Sequence, residues 1–158
     1  MRVLILQGSP RANGNTAWMA EEYKKAAEAA GHEVTLVNVS KKRIAGCLAC
    51  EYCHNKGNGA CIQKDDMQEL YPLMNEAEAL VLAAPIYYFT LCAQIQAPIQ
   101  RMYCVNAPAK VRTIFQPPPT RILERITRIT ESAMKLQFAN EGYHLLFGFL
   151  SFLFVDLG

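Results

Sequence analysis

No apolar run in this sequence is long enough to cross a bilayer, which takes about 20 residues. The best candidate, 145–155, has eleven residues including one Ser and one Gly, and reads as a buried strand or interface segment. Charge of one sign is also scarce. Lys and Arg number 16 against 14 Asp and Glu, a net charge of +2, and the basic residues are scattered. The tightest cluster, Lys41-Lys42-Arg43, reads as a solvated loop, so no nucleic-acid partner is expected. A secretory leader is missing as well. The opening MRVLILQG has one charge and four consecutive apolar residues, too few for a signal-peptide core. A cytoplasmic protein that does not engage membranes is expected. There is no internal repeat and no linker-like stretch, so residues 1–158 read as a single domain. A hydrophobic content of 51% with 19% charged residues is ordinary globular composition.

Three short apolar runs read as buried parallel strands: 3–6 (VLIL), 34–39 (VTLVNV) and 80–84 (LVLAA), the last bounded by Pro85. Between the first two, 16–30 has Ala20, Tyr23, Ala27 and Ala30 at helical spacing, and Gly31 stands where a C-cap belongs. Residues 65–75 predict a second helix with Asp65 as N-cap and Pro72 as a kink or early end. A third helix is expected over 90–105. Strands alternating with helices indicate an α/β doubly wound parallel sheet in three α/β/α layers. Further on, 111–115 reads as a fourth strand cut short by Pro117-Pro118-Pro119, and 121–138 as an amphipathic helix.

Two loops follow the first and third strands. The first, GSPRANGNT (8–16), places backbone N–H groups and a helix N-terminus where an anion can sit, with Ser9, Asn13, Asn15 and Thr16 as donors and Arg11 as a charge. It lacks the Gly-Lys-Ser/Thr of a P-loop and is not G-x-G-x-x-G. A monophosphate suits it, unless it is a bare capping turn. The second begins at Pro85, Ile86, Tyr87, Tyr88 and Phe89, an apolar and aromatic wall unless these rings merely pack. In the flavodoxin-like order 2-1-3-4-5, ligands bind at the switch point between strands 1 and 3. A phosphate cradle beside a wall for a flat ring suits FMN.

Residues 46–61, GCLACEYCHNKGNGAC, hold four cysteines as C-x2-C-x2-C-x7-C. Disulfides are uncommon in the cytosol. Four thiolates suit a [4Fe–4S] cluster or tetrahedral zinc, and uncommitted redox thiols also remain open. Gly57 and Gly59 make the last span pliable. His32 and His54 read as solvated, and Cys92 and Cys104 as small buried hydrophobes.

These segments, with KDDMQELY and APIYYFTLCAQIQAPIQRMY, resemble the NADPH-dependent FMN reductase and iron–sulfur flavoprotein family of the flavodoxin-like superfamily, in order and spacing over about residues 1–105. The resemblance implies that Ser9, Arg11, Asn13, Asn15 and Thr16 hold the FMN phosphate. It implies that Pro85, Ile86, Tyr87, Tyr88 and Phe89 line the ribityl chain and ring. Cys47, Cys50, Cys53 and Cys61 match the family's cluster motif position by position. The match fades after about residue 108, where a divergent or truncated tail is expected. The activity implied is transfer of electrons from NAD(P)H through FMN to a quinone, flavin, metal centre or redox protein, with no residue nominated as acid or nucleophile. A homodimer or homotetramer is implied. The alternatives are an electron carrier without NAD(P)H activity, a non-enzymatic metal-binding protein using the cysteine loop, and a protein of this fold that binds no flavin because its tail is defective.

Overall fold

The computed structural model describes residues 1–105 and, as backbone, a strand at 150–156. Strands β1 (Arg2–Gln7), β2 (Glu33–Asn38) and β3 (Ala79–Tyr87) form a parallel sheet with β1 in the middle. Helix α1 (Asn15–Ala29) connects β1 to β2, and α2 (Met67–Glu76) precedes β3. After β3 come a two-residue strand β4 (Thr90–Leu91), helix α3 (Ala93–Arg101) and a 3₁₀ turn, Met102–Cys104.

Both faces of the sheet are covered at β1 and β3, which is why 3–6 and 80–84 are continuously apolar, while the outer strand β2 is only partly buried. Leu4, Leu6, Leu80, Leu82 and Ala84 pack with Met67, Leu70 and Met74 of α2 and Ile95 of α3. The alternate residues Val3, Ile5, Val81 and Ala83 pack with Ala20, Tyr23 and Ala27 of α1. The period of two along each strand thus sorts side chains into two cores, giving the expected three layers. Helix α1 stops where its glycine allows. Gly31 has φ +83 and donates to the Glu28 carbonyl at 2.9 Å, while His32 donates to the Ala27 carbonyl at 3.1 Å. This pair of bonds is the Schellman motif.

Beyond β3 the sheet departs from a fully parallel 2-1-3-4-5 order. The order β2-β1-β3 is parallel, but β4 pairs antiparallel with Ile86 and Tyr87 of β3. Strand β5 (Leu150–Asp156) runs antiparallel along β3, from Ala79↔Asp156 to Pro85↔Leu150. It overlaps the apolar run at 145–155. The strand expected at 111–115 and the helix at 121–138 lie outside the described residues.

Four local expectations are corrected. Pro85 does not end β3, which continues through Tyr87. The β1–β3 register ends at Gln7↔Ala83, so Pro85 lies past the last β1 partner and its missing N–H breaks no bond there. Residues 90–105 are not one helix: Thr90 and Leu91 turn back along β3 before α3 begins. Pro72 does not end α2 early: the helix runs to Glu76, with Leu70 and Met74 buried on either side of the proline. The N-cap of α2 is Asp66, one residue later than expected, and carries no side-chain cap; Asp65 Oδ1 accepts the Met67 N–H at 3.2 Å from just outside the helix.

Candidate functional site

The loop after β1 is tied to β3 at its first residue. Gly8 donates to the Ala83 carbonyl at 2.8 Å, so the loops after β1 and β3 leave one edge of the sheet side by side. Gly8 is closely packed: an added Cβ would lie 3.0 Å from Ile95 Cβ and 3.1 Å from Cys92 Sγ, so these neighbours would have to give by a few tenths of an ångström. The Cys92 thiol, pushed up by burial, donates to the Gly8 carbonyl at 3.1 Å. Ser9 is buried, and its Oγ accepts the Arg11 N–H at 3.2 Å. Thr16 is buried in the first turn of α1, whereas Arg11, Asn13 and Asn15 are exposed around the opening. Gly14 occupies the N-cap position without a side-chain cap, and no acidic residue stands in the first turn. The positive end of α1 therefore faces this opening uncompensated.

Gln7, the last residue of β1, was not singled out by the sequence. It is 1% exposed, its Nε2 donates to the Ser9 carbonyl at 3.2 Å, and its Oε1 has no hydrogen-bond partner among the described residues. A buried acceptor left unpaired is costly. The available signal was a lone amide closing an otherwise apolar strand, directly before the loop.

Of the aromatic wall, Pro85, Ile86 and Tyr87 are the end of β3. Tyr88 and Phe89 form the two-residue turn to β4, with φ of +49 and +65. Positive φ at both central positions is the type I′ hairpin geometry, usually filled by Asn-Gly. Their rings meet edge to face at 5.8 Å and are 94% and 96% exposed. The turn presents two bulky rings to solvent at a backbone cost.

Cys47, Cys50, Cys53 and Cys61 line one cavity, together with Arg101, Tyr103 and Cys104. All five of these cysteines are free thiols. The loop is tightly wound, with positive φ at Ala49, Glu51 and Asn58. Gly57 is required, since a Cβ there would overlap the Ala60 carbonyl and the Tyr52 ring. Among the described residues no three His, Cys, Asp or Glu side chains converge tightly enough to hold a single metal ion. The environments of the cysteine sulfurs differ. Burial would raise the Cys61 thiol, but the Gln63 N–H, the Tyr71 hydroxyl and Arg101 outweigh it and hold it below its ordinary range. Burial pushes Cys53 up, against a hydrogen bond from Cys104. Burial, then the neighbouring Cys53 and Cys61, pushes Cys104 to about 11.

Cys104 is buried as expected, yet it belongs to the cysteine cavity as a fifth sulfur. His54 is a packing residue: its ring stacks on Tyr103 at 4.2 Å and its Nε2 lies 2.9 Å from the Tyr103 carbonyl. Helix α3 joins the two regions. Cys92 at its start touches Gly8, and Arg101 at its end touches Cys61 at 3.3 Å.

Residues 1–115 match the NADPH-dependent FMN reductase family. The chain belongs to that family. Among curated relatives, an iron–sulfur flavoprotein of Archaeoglobus fulgidus is 41% identical over 102 residues, covering 65% of this chain and 46% of the relative. One from Methanocaldococcus jannaschii is 34% identical over 107 residues, covering 68% and 53%. One from Methanosarcina thermophila is 32% identical over 101 residues, covering 64% and 52%. The chain thus spans about half the length of the curated relatives it matches. Two solved structures share the fold. RosB, with bound 8-demethyl-8-formylriboflavin-5′-phosphate, has a TM-score of 0.53 at 20% identity, covering 65% of this chain and 42% of that one. Smu.1420 from Streptococcus mutans has a TM-score of 0.53 at 16% identity, covering 72% and 57%. Among the described residues no helix is long and apolar enough to cross a membrane.

Proposed function

We propose that this chain binds FMN at the joined ends of β1 and β3 and transfers electrons from NAD(P)H to an acceptor such as a quinone, a flavin or a metal centre. The observation that carries this is the 8–16 loop. It has an uncapped helix start free of acidic residues, flanked by a buried serine and the unpaired Gln7 oxygen. That donor set fits a phosphate, and the free acceptor fits a hydroxyl of the chain that carries it. Ser9 and Thr16 form the floor and Arg11, Asn13 and Asn15 the rim, while Pro85, Ile86, Tyr87, Tyr88 and Phe89 supply apolar and aromatic surface beside it. Bound FMN would supply the two-electron chemistry, and the protein would position it and keep water from one side.

Titration of the purified protein with FMN, followed by stopped-flow mixing with NADPH, tests this. Saturable binding and bleaching of the flavin absorbance are expected. Asn15→Ala should weaken FMN binding about tenfold, a loss of roughly 1.4 kcal/mol, typical of a charge-assisted hydrogen bond. A protein that takes up no FMN would overturn the proposal and leave the metal-binding reading.

The cysteine cavity favours a second reading, in which Cys47, Cys50, Cys53 and Cys61 hold a [4Fe–4S] cluster and the chain carries electrons without NAD(P)H activity of its own. Four cysteines lining one cavity are the ligand set of a [4Fe–4S] cluster, as they are of a tetrahedral ion. The relatives are named iron–sulfur flavoproteins, which supports the cluster and says nothing about NAD(P)H. FMN binding without bleaching by NADPH, together with iron and acid-labile sulfide after anaerobic reconstitution, would establish this carrier instead. A cytoplasmic location, a single domain and a homodimer or homotetramer complete the proposal.

A further inference from the structure

Arg101 is the most deeply buried charge in the described structure, at 1% exposure, and every donor direction of its guanidinium is used. Nε donates to the Tyr71 hydroxyl at 3.2 Å. Nη1 donates to the Ala45 carbonyl at 3.0 Å and to Asp65 Oδ2 at 2.7 Å. Nη2 donates to Asp65 Oδ1 at 3.2 Å and to Cys61 Sγ at 3.3 Å. Asp65 is itself held by the Ala45 N–H at 3.1 Å and the Met67 N–H at 3.2 Å. These partners bracket the cysteine loop. Ala45 precedes Cys47, whereas Cys61 and Asp65 follow the last long span. Gly46 is pinned in the same place, its carbonyl accepting from Gln63 Nε2 at 3.1 Å.

A buried guanidinium with one carboxylate partner would be satisfied as an ion pair. Here one N–H is directed past the carboxylate onto a sulfur that lines the cavity. Sulfur-directed hydrogen bonds and local positive charge tune iron–sulfur groups and hold their ligands in place. We propose that Arg101 is the positioning residue of the cysteine site. It clamps the two flanks of the loop together and fixes the Cys61 sulfur, with its charge, toward the group the cavity receives. This inference rests on the cluster reading above.

The test uses the full chain, reconstituted anaerobically with iron and sulfide. Arg101→Gln removes charge and fork, and Arg101→Lys restores the charge alone. With Arg101→Gln the midpoint potential should move to more negative values, and iron loss to a chelator should run about tenfold faster. Arg101→Lys should recover part of each and also covers the case in which the glutamine variant does not fold. An arginine with a merely structural role would lower the melting temperature and leave the potential where it was. A folded variant with unchanged potential and unchanged iron loss would overturn the proposal. If the wild-type chain takes up no iron or sulfide, the cluster reading falls. The clamp is then decided on the metal-free protein by combining Arg101→Lys with Cys61→Ala. Melting-temperature shifts that fail to add support contact between the two residues, and additive shifts overturn it.

Discussion

Gln7 and Asp65 show how much a single polar atom can report. Gln7 Oε1 is buried and unpaired, a state that a folded chain keeps only at a cost. Gln7→Leu is expected to leave ligand-free stability within about 1 kcal/mol of the parent, because one weak hydrogen bond and one unpaired acceptor disappear together. The same change should weaken FMN binding about tenfold, or roughly 1.4 kcal/mol. Calorimetry with and without FMN checks both halves. Asp65 is partly desolvated, which alone would raise its carboxyl, but Arg101 and the Ala45 and Met67 N–H groups hold it below the usual carboxylate range. A lowered folded-state value means that its contribution is present above the unfolded value, about 3.9, and is lost as pH falls through the folded one. Urea midpoints measured from pH 6 to 2 should therefore drop more steeply for the parent than for Asp65→Asn. The variant starts lower because Arg101 is left buried without its carboxylate.

At the scale of elements, β1, α1, β2 and the first part of β3 were legible because period and punctuation agree there. Gly31 ends α1 in the conformation only glycine takes without strain, and Leu4 and Leu6 face opposite to Val3 and Ile5 as alternation requires. The segment after Ala84 was not legible. Pro85 reads as a terminator, yet it sits where no β1 partner needs its N–H. The hairpin that follows carries Tyr-Phe instead of the Asn-Gly that announces such turns. Aromatic residues forced to φ of +49 and +65 are a local rule broken, which invites a functional reason. Replacing Phe89 with Gly should raise stability by roughly 1 kcal/mol through relief of strain. If the ring belongs to the flavin wall, FMN affinity should fall in the same variant. Thermal melts and FMN titration separate the two effects, and a gain in stability with unchanged affinity would remove Phe89 from the site.

Across the whole molecule, the rule that ligands gather at the switch point of an open sheet was enough to bring the 8–16 loop and the end of β3 together in advance. It could not reveal Arg101 or Cys104 as parts of the cysteine cavity. Both lie some 40 residues along the chain from their partners Cys61 and Gly59, and nothing in their local sequence marks them. Only the packing of α3 against the 46–61 loop does so. That helix has a further consequence. It bears on Gly8 at one end and on Cys61 at the other, so the separation of the two regions is set by its nine residues. Each residue added or removed would advance one end by about 1.5 Å and rotate it by about 100°. Substitutions along its outer surface can be absorbed, but a change of length cannot: α3 works as a ruler, and the distance between the two regions is written in the chain as a count.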